Sequence, residues 1–223
     1  MTLTLLDPES PVFPNPDQAA IEPDGLLALG GNLNLETILS AYYQGIFPWF
    51  NQHDPIMWWS PSNRCVIYPQ HLHISKSLKK HILKGSFSIT TDQAFSTVIH
   101  ACADRGGDDG TWITEEMIEA YSALHRLGHV HSFEVWDGGK LIGGIYGLVV
   151  GSIFCGESMF SREKNGSKIA LVYLCQHLHS QGFELLDCQL VSQHLLSMGA
   201  ETMSRNSFLS ILRNHRDNKK IWV

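Results

Sequence analysis

The segment formed by residues 143–189 constrains the fold of this chain more than any other part of the sequence. It opens with two β-type runs punctuated by glycine, continues with a predicted helix over residues 167–180, and ends with an apolar strand over 184–189. Upstream of it, two predicted helices precede consecutive strands joined by short glycine turns. This order of elements predicts an α+β domain with a mixed, mainly antiparallel sheet.

Three polar side chains stand where these apolar strands end. Asp187 and Gln189 are two residues apart on one predicted strand, so we expect them to project to the same face. Glu157 is predicted to begin a loop that leaves the central hairpin close to that face. Polar groups cost free energy inside apolar structure unless they are paired or used. Two carboxylates and an amide in one cleft suit a cationic or amine-bearing ligand; the alternative is a buried ion-pair network with Arg162 or Arg205.

The bulk composition is typical of a globular protein with a real core. The chain has 223 residues, of which 43% are hydrophobic and 17% charged. It contains no long uncharged apolar run, so we expect neither a signal peptide nor a membrane-spanning helix. The five cysteines are odd in number and form no Cys-x-x-Cys motif, which indicates the reducing cytoplasm rather than a disulfide framework.

Charge is distributed unevenly along the chain. A formal net charge of -6 argues against a general nucleic-acid binder. Residues 55–91, however, contain no Asp or Glu and carry Arg64, three histidines and four lysines. A positive segment in an acidic protein is typical of a local phosphate-binding surface. The alternative is an ordinary solvated helix face. The four lysines are Lys76, Lys79, Lys80 and Lys84.

The pattern of the chain changes near residue 62. Residues 1–62 are rich in proline and aromatic residues, and we interpret them as a small N-terminal domain with an extended arm, turns and a helix over 35–44. Residues 63–223 form the second predicted domain. Most of the aromatic residues near 46–50 and 58–59 are expected in the core, although tryptophan also forms rigid walls of ligand pockets.

Metal, thiol and dinucleotide chemistry is weakly supported. His125, His129 and His131 are close in sequence, but Gly128 is predicted to end the helix between them, so they share no face. Cys155 and Cys188 have no obvious activating base. The glycines over residues 143–151 do not form a dinucleotide-binding fingerprint. We therefore expect no metal and no cofactor.

Several longer motifs carry a family resemblance. They include Asp24-Gly-Leu-Leu-Ala-Leu-Gly-Gly31, Gly45-Ile-Phe-Pro-Trp-Phe50, Trp58-Trp-Ser-Pro61, Gly156-Glu-Ser-Met-Phe-Ser161 and Asp187-Cys-Gln189. With these motifs the chain resembles the bacterial leucyl/phenylalanyl-tRNA–protein transferases over about residues 13–209. The resemblance implies a C-terminal acetyltransferase-like (GNAT-like) fold that takes no acetyl-CoA.

The resemblance also implies the substrates. Leu-tRNA and Phe-tRNA, and less readily Met-tRNA, would donate the amino acid to proteins with N-terminal Arg or Lys, which are thereby marked for degradation. An aminoacyl ester is already activated, so neither a metal nor a covalent nucleophile is required. We expect a cytoplasmic monomer, because no exposed heptad seam is present.

The resemblance assigns roles to particular residues. Catalysis falls to Asp187 and Gln189, with Glu157 as an acidic group of the same cleft. The lysines over residues 76–84 are expected to contact the tRNA backbone. Tyr42 and Trp112 would lie near the terminal adenosine, and the side-chain pocket would involve Trp49, Phe154, Met159, Leu174 and Leu186.

Two other classes of protein remain open. An acetyl-CoA-dependent N-acetyltransferase of the same fold needs a pyrophosphate cradle of the type Arg/Gln-x-x-Gly-x-Gly/Ala, which residues 161–167 lack. A non-catalytic tRNA-binding module leaves Glu157, Asp187 and Gln189 without a use. Binding of acetyl-CoA favours the first class, and tRNA retention without product favours the second.

Overall fold

Two β-sheets organise the protein, and the computed structural model describes residues 3–104, 112–220 and 222. The strands are β1 Thr4–Leu6, β2 Leu26–Gly30, β3 Phe47–Pro48, β4 Met57–Trp59, β5 Asn63–Ile67, β6 Ser88–Thr91, β7 Val130–Asp137, β8 Lys140–Val150, β9 Ile153–Ser161, β10 Leu185–Gln189 and β11 Glu201–Ser204. The helices are α1 Leu35–Tyr43, α2 Lys76–Lys84, α3 Phe95–Ala103, α4 Glu115–Arg126, α5 Gly166–Ser180, α6 Gln193–Ser197 and α7 Arg205–His215.

The N-terminal residues form a four-stranded sheet rather than only an arm with turns. Its order is β1-β2-β4-β3, with β1 parallel to β2. The prolines that suggested an arm lie outside the first two strands, so they leave the ladder hydrogen bonds of those strands intact. Trp58 is fully buried in this sheet and its indole Nε1 donates to the Gly30 carbonyl at 2.9 Å.

The larger sheet confirms the predicted α+β class with a mixed, mainly antiparallel sheet. Its order is β11-β5-β10-β9-β8-β7-β6. Within the described residues, β9 and β10 are its one parallel pair, and the other neighbours run antiparallel. A parallel pair needs a crossover connection, and α5 provides it.

Apolar side chains cover both faces of the larger sheet. On one face, residues such as Val66 and Tyr146 join a core that also contains Trp58, so the N-terminal sheet packs onto this side. On the other face, α5 buries Leu171 and Leu178 against the strands. The start of α5 lies directly on β8, since a Cβ atom built on Gly143 would be 2.3 Å from the Gly166 carbonyl carbon.

Four of the described helices, α2, α4, α6 and α7, start at a Ser or Thr cap. The Oγ atoms of Ser75 and Thr114 accept the backbone N–H of the residue three positions later, at 3.2 and 3.3 Å. From the sequence alone, Asp92 is a plausible N-cap of the helix that follows it, but α3 begins at Phe95 and Asp92 does not cap it. Asp92 instead has a φ of 59° and is bonded to β7. Its backbone N–H donates to the Ser132 carbonyl at 3.1 Å, and its Oδ1 accepts the backbone N–H of Ser132 at 2.8 Å. No helix of the described ranges has the length and apolarity needed to cross a membrane.

Candidate active site

A cleft opens where the parallel strands β9 and β10 stop pairing. Their last paired residues are Cys155 and Asp187. Directly beyond this pair, the register of β9 on β8 skips Glu157, and the register of β10 on β5 skips Cys188. Both irregularities are β-bulges, which redirect side chains and commonly lie beside active sites. The two bulges therefore turn polar side chains toward the gap between the strands.

The bulges correct two predictions about the backbone. Glu157 lies inside β9, whose strand continues to Ser161, and does not begin a loop. Gln189 has a φ of 55°, a left-handed conformation that is uncommon for a residue other than glycine. Because the register shifts between Asp187 and Gln189, simple strand alternation does not describe how these two residues are oriented.

An apolar cavity of about 140 Å³ lies on one side of the cleft. This volume is well below that of typical small-molecule sites, so the cavity suits a single side chain rather than a nucleotide. Aliphatic residues and Met159 form most of its wall, and Glu157 and Gln189 close its polar end. The aliphatic residues are Ile145, Leu171, Leu186 and Leu195.

A second cavity of about 280 Å³ adjoins the first. Aromatic residues dominate its wall, namely Phe47, Trp49 and Trp112. Trp49 is 40% exposed and its ring meets Trp59 edge-on, with 5.6 Å between the ring centroids. Both cavities are lined by Glu157, Cys188 and Gln189. Those residues therefore form the junction between the small apolar cavity, which we call the slot, and the aromatic-walled cavity.

A larger cavity of about 470 Å³ lies in the N-terminal sheet, between its first two strands and residues 18–23. Glu22 is its one ionisable lining residue among those described. Volume alone does not identify a reactive site. The smaller pair of cavities brings together a carboxylate, an amide and a thiol, and is therefore the better candidate.

The carboxyl group of Glu157 is held by a chain of tyrosines. The Tyr121 hydroxyl donates to Oε2 of Glu157 at 3.1 Å, and the hydroxyls of Tyr42 and Tyr121 are 2.7 Å apart. Oε1 of Glu157 has no hydrogen-bond partner among the described residues. Burial raises the pKa of Glu157 from 4.5 to about 8, against the opposing effect of the tyrosine hydrogen bonds. With a pKa of about 8, the carboxyl group of Glu157 is mainly neutral at pH 7, and a nearby cation favours its ionisation.

Asp187 is an ion-pair partner and not an open carboxylate. Its Oδ1 and Oδ2 accept from Nε and Nη2 of Arg64 at 2.8 and 2.7 Å. Oδ1 also accepts the backbone N–H of Gln189 at 3.0 Å. Both side chains of the pair are buried. The alternative of a buried ion pair thus holds for Asp187, but its partner is Arg64 and neither Arg162 nor Arg205.

The predicted substrate-binding residues are found at different depths. Met159 and Leu186 line the small cavity, and Trp49 and Trp112 line the aromatic one. The Tyr42 hydroxyl is hydrogen-bonded to the Tyr121 hydroxyl, which in turn donates to Glu157. Phe154 on β9 and Leu174 on α5 are buried in the core between that helix and the sheet, and neither is among the residues lining these two cavities.

The predicted tRNA-binding lysines lie together on one surface helix. Lys76, Lys79, Lys80 and Lys84 are all exposed on α2. The segment before this helix reaches the site region, since the backbone N–H of His73 donates to the Met198 carbonyl at 2.9 Å. Met198 follows α6, whose Leu195 lines the small cavity.

Sequence reasoning gave no role to five residues that complete this geometry. The sequence placed Arg64 only in the positive segment over residues 55–91 and gave Tyr121 no role, although a lone arginine in a strand-like run is a signal for a buried acidic partner. Ile145, Leu171 and Leu195 carried no signal beyond apolar periodicity. Their role depends on which strands and helices become neighbours.

His125 and His131 have structural partners, and the cysteines form no disulfide. His125 stacks on Phe95 and its Nδ1 lies 2.8 Å from the Val130 carbonyl. Nδ1 of His131 lies 2.7 Å from the carboxylate of Asp92. Across the described residues, no group of three or more His, Cys, Asp or Glu side chains is arranged to hold a metal ion. All five cysteines are free thiols.

Solved structures offer only distant likenesses. L-PGS from Bacillus licheniformis aligns with a TM-score of 0.41 and 11% identity, covering 72% of this chain and 52% of that one. A functionally unknown conserved protein from Staphylococcus epidermidis aligns with a TM-score of 0.43 and 11% identity, covering 80% of this chain and 68% of that one. These scores are too low to identify the fold.

Sequence comparisons are decisive. The family model described as leucyl/phenylalanyl-tRNA protein transferase matches residues 66–213, and the model of that family's N-terminal domain matches residues 31–62. Relatives named leucyl/phenylalanyl-tRNA–protein transferase include one from Shewanella pealeana, 51% identical over 97% of this chain and 92% of its own length. One from Psychromonas ingrahamii is 50% identical over 99% of this chain and 96% of its own length. Because both family models match and the identity extends over nearly the full length, this chain belongs to the leucyl/phenylalanyl-tRNA–protein transferase family.

Proposed function

We propose that this enzyme transfers Leu or Phe, and less readily Met, from aminoacyl-tRNA to the α-amino group of proteins that begin with Arg or Lys. The observation that carries the proposal is the junction of a side-chain-sized apolar cavity with an aromatic-walled cavity at Glu157 and Gln189. The products would be marked for degradation by their new N-terminal residue. The reaction requires charged tRNA and therefore belongs in the cytoplasm, in keeping with five free thiols.

The two cavities fit the two ends of an aminoacyl-adenosine. The amino-acid side chain enters the slot beside Met159 and Leu186, and the adenosine lies against Trp49 and Trp112. Base–aromatic stacking is sequence-tolerant and suits a terminal nucleoside. The ester carbon then lies near Glu157 and Gln189, where the cavities meet. Phe154 and Leu174 act behind the slot by setting its depth.

The acceptor amine is recognised by negative charge. An Arg or Lys terminus brings cations to Glu157, which favours ionisation of its carboxyl group. The α-amine, with a pKa of about 8, loses a proton and attacks the ester carbonyl. One proton of the α-ammonium group thus passes to solvent before the attack. A C–N bond then forms, the C–O bond to the tRNA breaks, and a second proton of the attacking nitrogen passes to the released ribose oxygen. Gln189 orients the reacting groups, and Asp187 supports Gln189 through its backbone N–H.

The tRNA body is held by charge alone. Lys76, Lys79, Lys80 and Lys84 form an exposed basic surface on α2, and this helix follows a segment bonded to the cavity wall. Contacts to phosphates fix the position of a nucleic acid without reading its bases. This arrangement suits an enzyme that accepts more than one tRNA.

The finer architecture is also part of the proposal. A GNAT-like C-terminal domain over residues 63–223 is supported by the parallel pair β9–β10, which separates beyond Asp187 inside an otherwise antiparallel sheet. A small N-terminal domain over residues 1–62 is supported by the change of sheet between β4 and β5. We propose that the enzyme acts as a monomer.

The test is transfer of a labelled amino acid. Phe-tRNA, Leu-tRNA and Met-tRNA are incubated with peptides that begin with Arg, Lys or Asp, and products are scored by mass spectrometry. The proposal requires extension of the Arg and Lys peptides, and little extension of the Asp peptide. Absence of product with tRNA still retained would refute it. A thermal shift with acetyl-CoA and none with an aminoacyl-adenosine amide would instead favour the acetyltransferase.

A further inference from the structure

We propose that Arg64 is a positioning residue for the transfer reaction, and that its ion pair makes Asp187 an anchor of the Gln189 segment. This inference rests on the proposed function. It assigns a role to a buried charge that touches neither cavity, and it identifies which acid of the cleft is unavailable for proton transfer.

The first support is the occupancy of the Asp187 carboxylate. Arg64 is 2% exposed and Asp187 is 0% exposed, so the pair is out of water. Three donors meet the two carboxylate oxygens, two from Arg64 and one from the backbone of Gln189. Such a bidentate, desolvated arrangement fixes the direction of the carboxylate. A substrate amine would have to displace these donors to reach it.

The second support is the conformation of Gln189. Its φ of 55° is costly for a side-chain-bearing residue and persists only where the surroundings impose it. Its N–H donates to Oδ1 of Asp187 at this point, and the bulge brings Cys188 and Gln189 to the wall of both cavities. Arg64 therefore fixes Gln189 through one intermediate residue.

The third support is the link to the N-terminal sheet. Nη1 of Arg64 donates to the Gly45 carbonyl at 3.2 Å. The guanidinium carbon lies 4.8 Å from the ring centroid of Phe47 and 4.5 Å from that of Phe208. Phe47 is part of the aromatic cavity wall. The Arg64 guanidinium therefore contacts both Asp187, which holds the Gln189 segment, and Phe47 in the wall of the aromatic cavity.

Only arginine can make all of these contacts at once. Its planar fork binds a carboxylate through two nitrogens, offers a third to a carbonyl, and stacks between aromatic rings. Lysine keeps the charge but presents a single nitrogen. Arg64→Lys is therefore the informative variant. Arg205→Lys is its matched control, because Arg205 also bonds the N-terminal segment, at the Ser60 carbonyl, but is not bonded to Asp187.

The experiment measures kcat, KM and the pH profile of Phe transfer to an Arg-initiated peptide. For Arg64→Lys we expect kcat to fall by ~10- to 100-fold, as for small misplacements of reacting groups, while the peptide KM stays within ~2-fold. The limbs of the pH profile should not move. Arg205→Lys should retain the wild-type kcat.

A second variant guards against loss of the fold. Arg64→Met combined with Asp187→Leu replaces the buried pair with apolar groups, an exchange that other proteins tolerate. With native circular dichroism it should show the same loss of kcat and the same pH limbs. A wild-type kcat in either variant would overturn the proposal. So would a shift of the acidic limb of the pH profile when the Arg64–Asp187 ion pair is removed. Wild-type protein without transfer activity would instead reject the proposed function itself.

Discussion

Replacing Glu157 with Gln should make the protein more stable at neutral pH, and the gain should grow as the pH rises. Burial raises the pKa of Glu157 in the folded protein to about 8, above its ordinary value of 4.5. Its contribution to stability is thus fully present below pH 4.5 and is lost as the pH rises through 8. Gln keeps a neutral group of the same size, which still accepts from the Tyr121 hydroxyl.

The magnitude follows from proton linkage. Between the two pKa values the folded protein binds about one more proton than the unfolded chain, a slope of ~1.4 kcal/mol per pH unit. From pH 5 to 7.5 the full effect would be ~3.4 kcal/mol, which we reduce to ~1–2 kcal/mol because Glu157 is partly open to the cleft and solvent screens its charge.

Urea unfolding of both proteins at several pH values measures this difference. The free energy of unfolding of Glu157→Gln should exceed that of wild type by an amount that increases with pH. Glu119→Gln, which removes a charge from the exposed face of α4, is the matched control and should follow wild type. A constant difference, or one that shrinks as the pH rises, would refute the assignment of a neutral buried acid.

Three further predictions concern the slot, the tRNA and the packing of α5. Leu171→Ala enlarges the slot and should favour Phe-tRNA over Leu-tRNA by ~1–3 kcal/mol in kcat/KM. Leu178 is buried on the same helix but does not line the slot, so the control Leu178→Ala should only lower the melting temperature. Replacing Lys80 and Lys84 by Ala should raise the KM for tRNA and flatten its dependence on salt, and an unchanged salt slope would argue against these contacts. Gly143→Ala should lower the free energy of unfolding by ~1–3 kcal/mol in urea titrations, because its Cβ meets the backbone that starts α5; unchanged stability would contradict this close approach.

The sequence by itself determined the α+β class, the bounds of α5 to within one residue and some of the residues that meet in the cleft. Periodicity, glycine turns and hydroxyl caps act over a few residues, so they can be read without a fold. The helix predicted over residues 167–180 is α5, Gly166–Ser180. The family resemblance assigned Met159, Leu186, Trp49 and Trp112 to substrate binding, and the fold brings them to two adjoining cavities.

Tertiary structure alone decided how these residues divide the work. Asp187 and Glu157 are equivalent in sequence as acids in apolar strands, yet one is paired with Arg64, 123 positions away, and the other has a free oxygen at the cleft. The bulges at Glu157 and Cys188 are equally invisible to a period-two pattern. Pairing across the sheet decides which acid binds an arginine and which keeps an unpaired oxygen, because burial and the nearest partner are properties of the folded neighbourhood.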